Sequence, residues 1–222
     1  PHMDLLWPTR AVFKHRIVSC SLATVEEQLL KIARVEDCPG AQVPEVYFEY
    51  LRSGFSPRLH AVFEHNRLDV VSLFVYALWL DHRTHPMRPS LDSPDDLQAL
   101  ARYWYRHRRH DPALRALDEA TTRVLDQDQR SSIHRLRGHI LKRDRDYETA
   151  HEEWRKAAEF SPGDCSVAEE LAKLLEHRRR DFAGALNVVR QAIAALEFRS
   201  LVGDSNSSEL RQRLLHRQTR LR

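Results

Sequence analysis

The residues with the clearest potential for chemistry stand together at His65-Asn66-Arg67-Leu68-Asp69. His65 and Asp69 are four apart, so on a helix they share one face. A carboxylate there can hold a divalent cation, and a neighbouring imidazole can orient or deprotonate a metal-bound water, as in two-metal phosphodiester cleavage. The spacing suits a solvated hydrogen-bonded pair equally well, so taken alone it leaves both readings open.

A second constellation is basic. Arg106-His107-Arg108-Arg109-His110, Lys142-Arg143-Asp144-Arg145 and His177-Arg178-Arg179-Arg180 recur at a spacing of about 35 residues. If each forms the turn between two paired helices, stacking aligns Arg106, Arg108, Arg109, Lys142, Arg143, Arg145, Arg178, Arg179 and Arg180 as one ridge. Such a row supplies the sequence-independent part of nucleic-acid affinity. Cations closing helices also complement the macrodipole in solvated turns, which is the competing account. The charge balance follows the same division: residues 1–82 carry 8 Lys and Arg against 10 Asp and Glu, leaving 27 against 22 for residues 83–222.

The elements that must position these groups read as helices throughout. With 6 Gly, 10 Pro and 30% charged residues in 222, the composition is that of a helical chain of one large or two small domains. In residues 131–162, Gly138, Ala150, Trp154, Ala157 and Pro162 fall where a helix pair needs small residues at its crossing, a bulky one between pairs and a terminator. These offsets resemble the tetratricopeptide (TPR) pattern. Leu97, Leu100, Ala101 and Trp104 with Ala113, Leu117 and Ala120 form an earlier copy. Leu171, Ala172, Leu174 and Leu175 with Ala185, Val189 and Ala192 form a later one, which needs a one-residue slip in its inter-helix turn. Residues 208–222 read as a capping helix after the break at Gly203-Asp204-Ser205-Asn206.

Residues 4–82 lack that period. Helices are expected over 4–14, capped by Asp4; over 25–33, opened by a Thr24 to Glu27 capping box; from Pro44 to a stop at Gly54; and from Pro57 to about His82. The last is apolar around most of its circumference from Val70 onward, a pattern normally buried on several sides. Val71, Phe74, Leu78 and Trp79 are therefore expected to present a contiguous exposed apolar surface that drives self-association through helix 57–82, or docking of the repeats back onto it. Pro86 and Pro89 mark a linker. Pro1-His2-Met3 reads as a cloning remnant. Cys20, Cys38 and Cys165 are too few and too widely spaced for a disulfide framework or a metal knuckle, which fits a cytoplasmic protein. No apolar run approaches the roughly 20 residues that span a bilayer.

The stretch Asp4-Leu5-Leu6, Arg10, Ser21-Leu22, Val25-Glu26, Arg34, Asp37, Pro39-Gly40, Val43-Pro44, Tyr50-Leu51, Gly54 and His65-Asn66 through Asp69-Val70 and Leu73 resembles the second half of YprB-like RNase H-fold exonucleases, relatives of the DnaQ-type proofreading nucleases. The resemblance covers about a third of the chain. It implies four acids binding two metal ions, Mg2+ or Mn2+, with Asp69 the last of them and His65 assisting the attacking water. Two earlier acidic motifs of that family belong upstream of Asp4. Asp146-Tyr147-Glu148 is a turn motif and no substitute, while Arg34 and Asp37 read as loop-structuring residues.

The sequence thus yields an all-α expectation: residues 4–82 as the C-terminal helical part of an RNase H-like domain, a linker over 83–92, and a TPR-type solenoid of about three helix pairs with a cap over 93–222. The function implied is a fragment of a metal-dependent 3′–5′ exonuclease acting on DNA or RNA. The TPR block would bind a protein partner or nucleic acid, and this chain alone would be inactive and hold no metal stably. The alternative is a non-enzymatic TPR adaptor.

Overall fold

The computed structural model describes residues 3–34, 38–201 and 208–221, and among them it contains helices and no strand. The chain divides into two compact units, Pro1–Ser90 and Leu91–Arg222. Among the described residues no helix is long and apolar enough to cross a membrane. Cys20, Cys38 and Cys165 are free thiols.

In the first unit, α1 (Leu6–Phe13) is entered through Asp4, whose Oδ1 accepts the Leu6 N–H at 2.8 Å. Its buried face, Thr9, Val12 and Phe13, includes the anchors of its contact with α4 (Leu59–Arg83). The Thr9 and Tyr76 hydroxyls lie 2.6 Å apart, and the Phe13 ring meets that of Trp79 at 5.8 Å. Burial pushes the Tyr76 phenol up to about 12, against the opposing effect of the Thr9 hydrogen bond. Helix α3 (Val43–Ser53) carries Pro44 in its first turn and ends at Gly54, whose φ of 71° is the left-handed conformation glycine tolerates. Val46 and Val62 bury against Cys38 between α3 and α4.

Three expectations in this unit are corrected. The second helix, α2 (Leu22–Val25), begins earlier than expected because Ser21, not Thr24, is its cap, with Ser21 Oγ accepting the Thr24 N–H. It continues as a wider π turn, Glu26–Leu30, and stops at Lys31 (φ 60°) rather than at Ala33. Helix α4 starts at Leu59, since Pro57 and Arg58 form a turn in which the Leu59 N–H reaches Ser56 O. Trp79 is not part of the exposed stripe: it is half-buried against Phe13, with Tyr76 stacked beside it at 6.0 Å. Val71, Phe74 and Leu78 are exposed, as expected, at 47%, 66% and 58%.

The second unit stacks helices in pairs. Helix α5 (Pro94–Arg106), capped by Ser93, packs on α6 (His110–Thr121), and α7 (Gln127–Arg143) packs on α8 (Tyr147–Phe160). Helix α9 (Cys165–Leu174) packs on α10 (Phe182–Leu201), and α11 (Ser208–Arg220) covers both. The turns within pairs are short, which makes each pair antiparallel. Leu97, Leu100, Ala113, Leu117, Ala120, Ile133, Ile140 and Trp154 are all buried at 1% exposure or less. Gly138 explains the second crossing: a Cβ there would lie 2.4 Å from Trp154 Nε1. The slip read in the third copy is a π turn, Leu175–Arg179, after which the Asp181 N–H returns to Leu175 O at 3.0 Å. The break at Gly203–Asn206 lies outside the described residues.

Candidate functional site

Helix α4 places His65 and Asp69 on one face, with His65 Nε2 3.5 Å from Asp69 Oδ2. The pair does not stand alone. Arg34, in the segment that follows the π turn, donates from Nη2 to Asp69 Oδ1 at 2.6 Å and to Glu26 Oε1 at 2.7 Å. Its Nε donates to Glu26 Oε2 at 2.7 Å, which makes the Arg34–Glu26 pair bidentate, and Nη1 lies 3.4 Å from His65 Nδ1. Glu26 is 1% exposed. A single guanidinium therefore ties the π turn to α4 and sits where two carboxylates from different elements converge.

Sequence reasoning finds His65 and Asp69, treats Arg34 as a loop residue, and does not single out Glu26. The signal for Glu26 is its register, since Val25 just before it and Leu29 of the same turn are buried. An acid in such a register is retained only with a counter-charge. Asp37 lies outside the described residues.

No group of three or more His, Cys, Asp or Glu among the described residues could hold a metal ion. Arg34 engages both oxygens of Glu26 and Oδ1 of Asp69, while Asp69 Oδ2 faces His65 Nε2 at 3.5 Å.

In the second unit the three basic turns occupy equivalent places, and each contains an arginine in the left-handed region: Arg108 (φ 59°), Arg145 (φ 64°) and Arg180 (φ 52°). Arg106, Arg108, Arg109, Lys142, Arg143, Arg145, Arg178, Arg179 and Arg180 are all exposed as whole residues. Several are committed to neighbours. Arg109 lies over the Trp104 ring at 4.9 Å, Arg143 over Tyr105 at 5.6 Å, and Arg178 over Tyr147 at 4.0 Å. Arg179 is ion-paired with Glu148, and Lys142 with Glu170. The contacts from Arg143 to Tyr105 and from Arg178 to Tyr147 each reach back to the preceding helix pair, so they link successive pairs as well as placing charge.

Comparison with known proteins places the first unit. Residues 1–80 match the family model of the RNase H superfamily. The chain is 31% identical over 196 residues to the uncharacterized protein YprB of Bacillus subtilis (strain 168), an alignment covering 87% of this chain and 47% of that protein. The chain thus spans about half the length of the curated relative it matches, and the residues similar to the RNase H superfamily, 1–80, include His65 and Asp69 on α4.

Proposed function

We propose that this chain is the helical portion of a metal-dependent 3′–5′ exonuclease of the RNase H type, with the repeat unit serving as its TPR-like binding module. The observation that carries the reading is the RNase H superfamily match over residues 1–80, the stretch that holds His65 and Asp69 one turn apart. In this reading Asp69 is one of the acids of the catalytic centre and His65 orients the attacking water. The remaining acids are supplied by sequence outside this chain. Mg2+ or Mn2+ belongs to the complete nuclease, and this chain holds neither stably. The protein works in the cytoplasm, with DNA or RNA as substrate.

The test is a polypeptide extended upstream of Asp4. Asp69→Asn should abolish cleavage of single strands and duplexes while leaving helical content unchanged; retained cleavage would remove Asp69 from the catalytic centre. The present chain should cleave nothing with either metal. The second reading, a non-enzymatic adaptor, is favoured by one observation, the Arg34 ion pair at Asp69, which is what a purely structural cluster contains. An extended protein without metal-dependent cleavage would favour it.

A further inference from the structure

A cavity of about 290 Å3 opens in the second unit, with Trp154 and Leu174 in its lining. Lys142, Lys173, Arg178 and Arg217 face it, opposite Glu170 as the lining's one carboxylate. Only Lys142 and Arg178 belong to the turn ridge; Lys173 and Arg217 come from α9 and α11.

The charges within this lining are unequally matched. Glu170 is shared, ion-paired with Lys142 and accepting from Lys173 Nζ at 3.1 Å, which fixes both ammonium groups in place. Lys173 also meets Glu169 at 2.7 Å, and Arg217 is held by the buried Glu176. Arg178 differs. Among the described residues its contacts are the Tyr147 ring and the Tyr147 hydroxyl, to which Nη2 donates at 2.7 Å, both neutral. It leaves a full positive charge at the cavity with a flat guanidinium–phenol surface beside it. A second cavity of about 480 Å3, lined by Glu169, Gln212, Arg213, His216 and Arg220, shares Arg217 with the first; its cations outnumber its one carboxylate, although Arg213 meets Glu169 at 3.8 Å and Arg220 is held by Glu176.

We propose that these adjacent cavities form a phosphate-tracking site for single-stranded nucleic acid, with Arg178 as its main anchor and Lys173, already held by Glu169 and Glu170, as a secondary one. The choice of ligand rests on the nuclease reading above, and the geometry narrows it. A peptide terminus brings one carboxylate, whereas two adjacent cationic cavities suit an anion repeated at every residue. A space near the lower limit of ligand pockets, about 300 Å3, takes one nucleotide and excludes a double helix. The Arg178–Tyr147 surface provides a stacking platform of the kind single-strand binders use for bases of any sequence.

The test uses the full chain in EDTA, so that no catalysis is involved, and follows fluorescence anisotropy of labelled ten-nucleotide oligo(dT) and oligo(U) over a salt series. Arg178→Gln combined with Lys173→Gln should weaken binding of at least one oligonucleotide tenfold or more. The slope of log affinity against log salt should become shallower by about 0.7 for each phosphate that is no longer neutralised. Arg178→Lys should preserve the slope, while Arg108→Gln with Arg109→Gln should change little. Circular dichroism checks that each variant is folded.

Absence of salt-dependent binding by the unaltered chain overturns the proposal. So does unchanged affinity in the Arg178 and Lys173 variant, or preferential binding of an unlabelled acidic decapeptide that displaces the oligonucleotide. The result stays separable from the nuclease reading, because the Asp69→Asn cleavage test does not involve these residues.

Discussion

Arg34 is the residue on which the first unit's polar interior depends. Its side chain is 13% exposed and that of Glu26 2%, so neither charge has water to fall back on. Removing one partner of such a pair strands the other, at a typical cost of about 3–5 kcal/mol, while replacing both with apolar groups is often neutral. Arg34→Met should therefore destabilise the unit by that order in denaturant unfolding, and Arg34→Met with Glu26→Leu should recover most of the loss. Equal stability of the single variant and the unaltered chain would show the ion pair to be inert. His65 and Asp69 are legible in the sequence because a four-residue interval is a local property of a helix. Arg34 and Glu26 are not, because their meeting depends on the π turn and on where the chain leaves it.

At the scale of elements, the repeat unit is legible where its packing relies on size. Gly138 can be placed at a helix crossing from spacing alone, and the structure gives the reason: Trp154 fills the space a Cβ would need. Gly138→Ala should cost about 1–3 kcal/mol through overpacking, despite alanine's better helix propensity, and the melting temperature measures it. The two π turns are not legible, since the sequence carries the same residues whether a turn closes after four or five. Only the one-residue slip in the third copy hints at one of them.

The carboxylates that fasten these elements together also make the unit sensitive to acid. Burial works against ionised Glu153, Asp164 and Glu170. Hydrogen bonds from His134 to Glu153, from Ser166 to Asp164 and from Lys142 and Lys173 to Glu170, with neighbouring cations, outweigh it and lower all three pKa values. Each folded-state value lies below the unfolded one, so the stability these groups contribute is fully present above about pH 4.5, the ordinary Glu value. It is lost as pH falls through the lowered folded-state values. Thermal melts between pH 7 and pH 3 should stay level near neutrality and then drop below that range. Glu153→Gln with Glu170→Gln should flatten the drop.

For the whole molecule, the first unit's surface is where packing is least complete. Phe63, Val70 and Phe74 on α4 are more than 60% exposed, and Phe48, Leu51 and Phe55 on and just after α3 are 57–70% exposed. Soluble monomers seldom leave so many large apolar groups in water. The sequence already indicates this, because a helix apolar around most of its circumference needs more neighbours than three short helices provide. We expect the chain to self-associate through this face, with light scattering giving a mass that rises above 26.0 kDa with concentration. Phe74→Glu with Leu78→Lys should restore the monomer, and Arg178→Gln in the other unit should not. If residues 1–80 are part of a larger RNase H-like domain, a polypeptide extended upstream should cover the same face and be monomeric without those changes. A strictly monomeric chain at all concentrations would show that these side chains are tolerated in water.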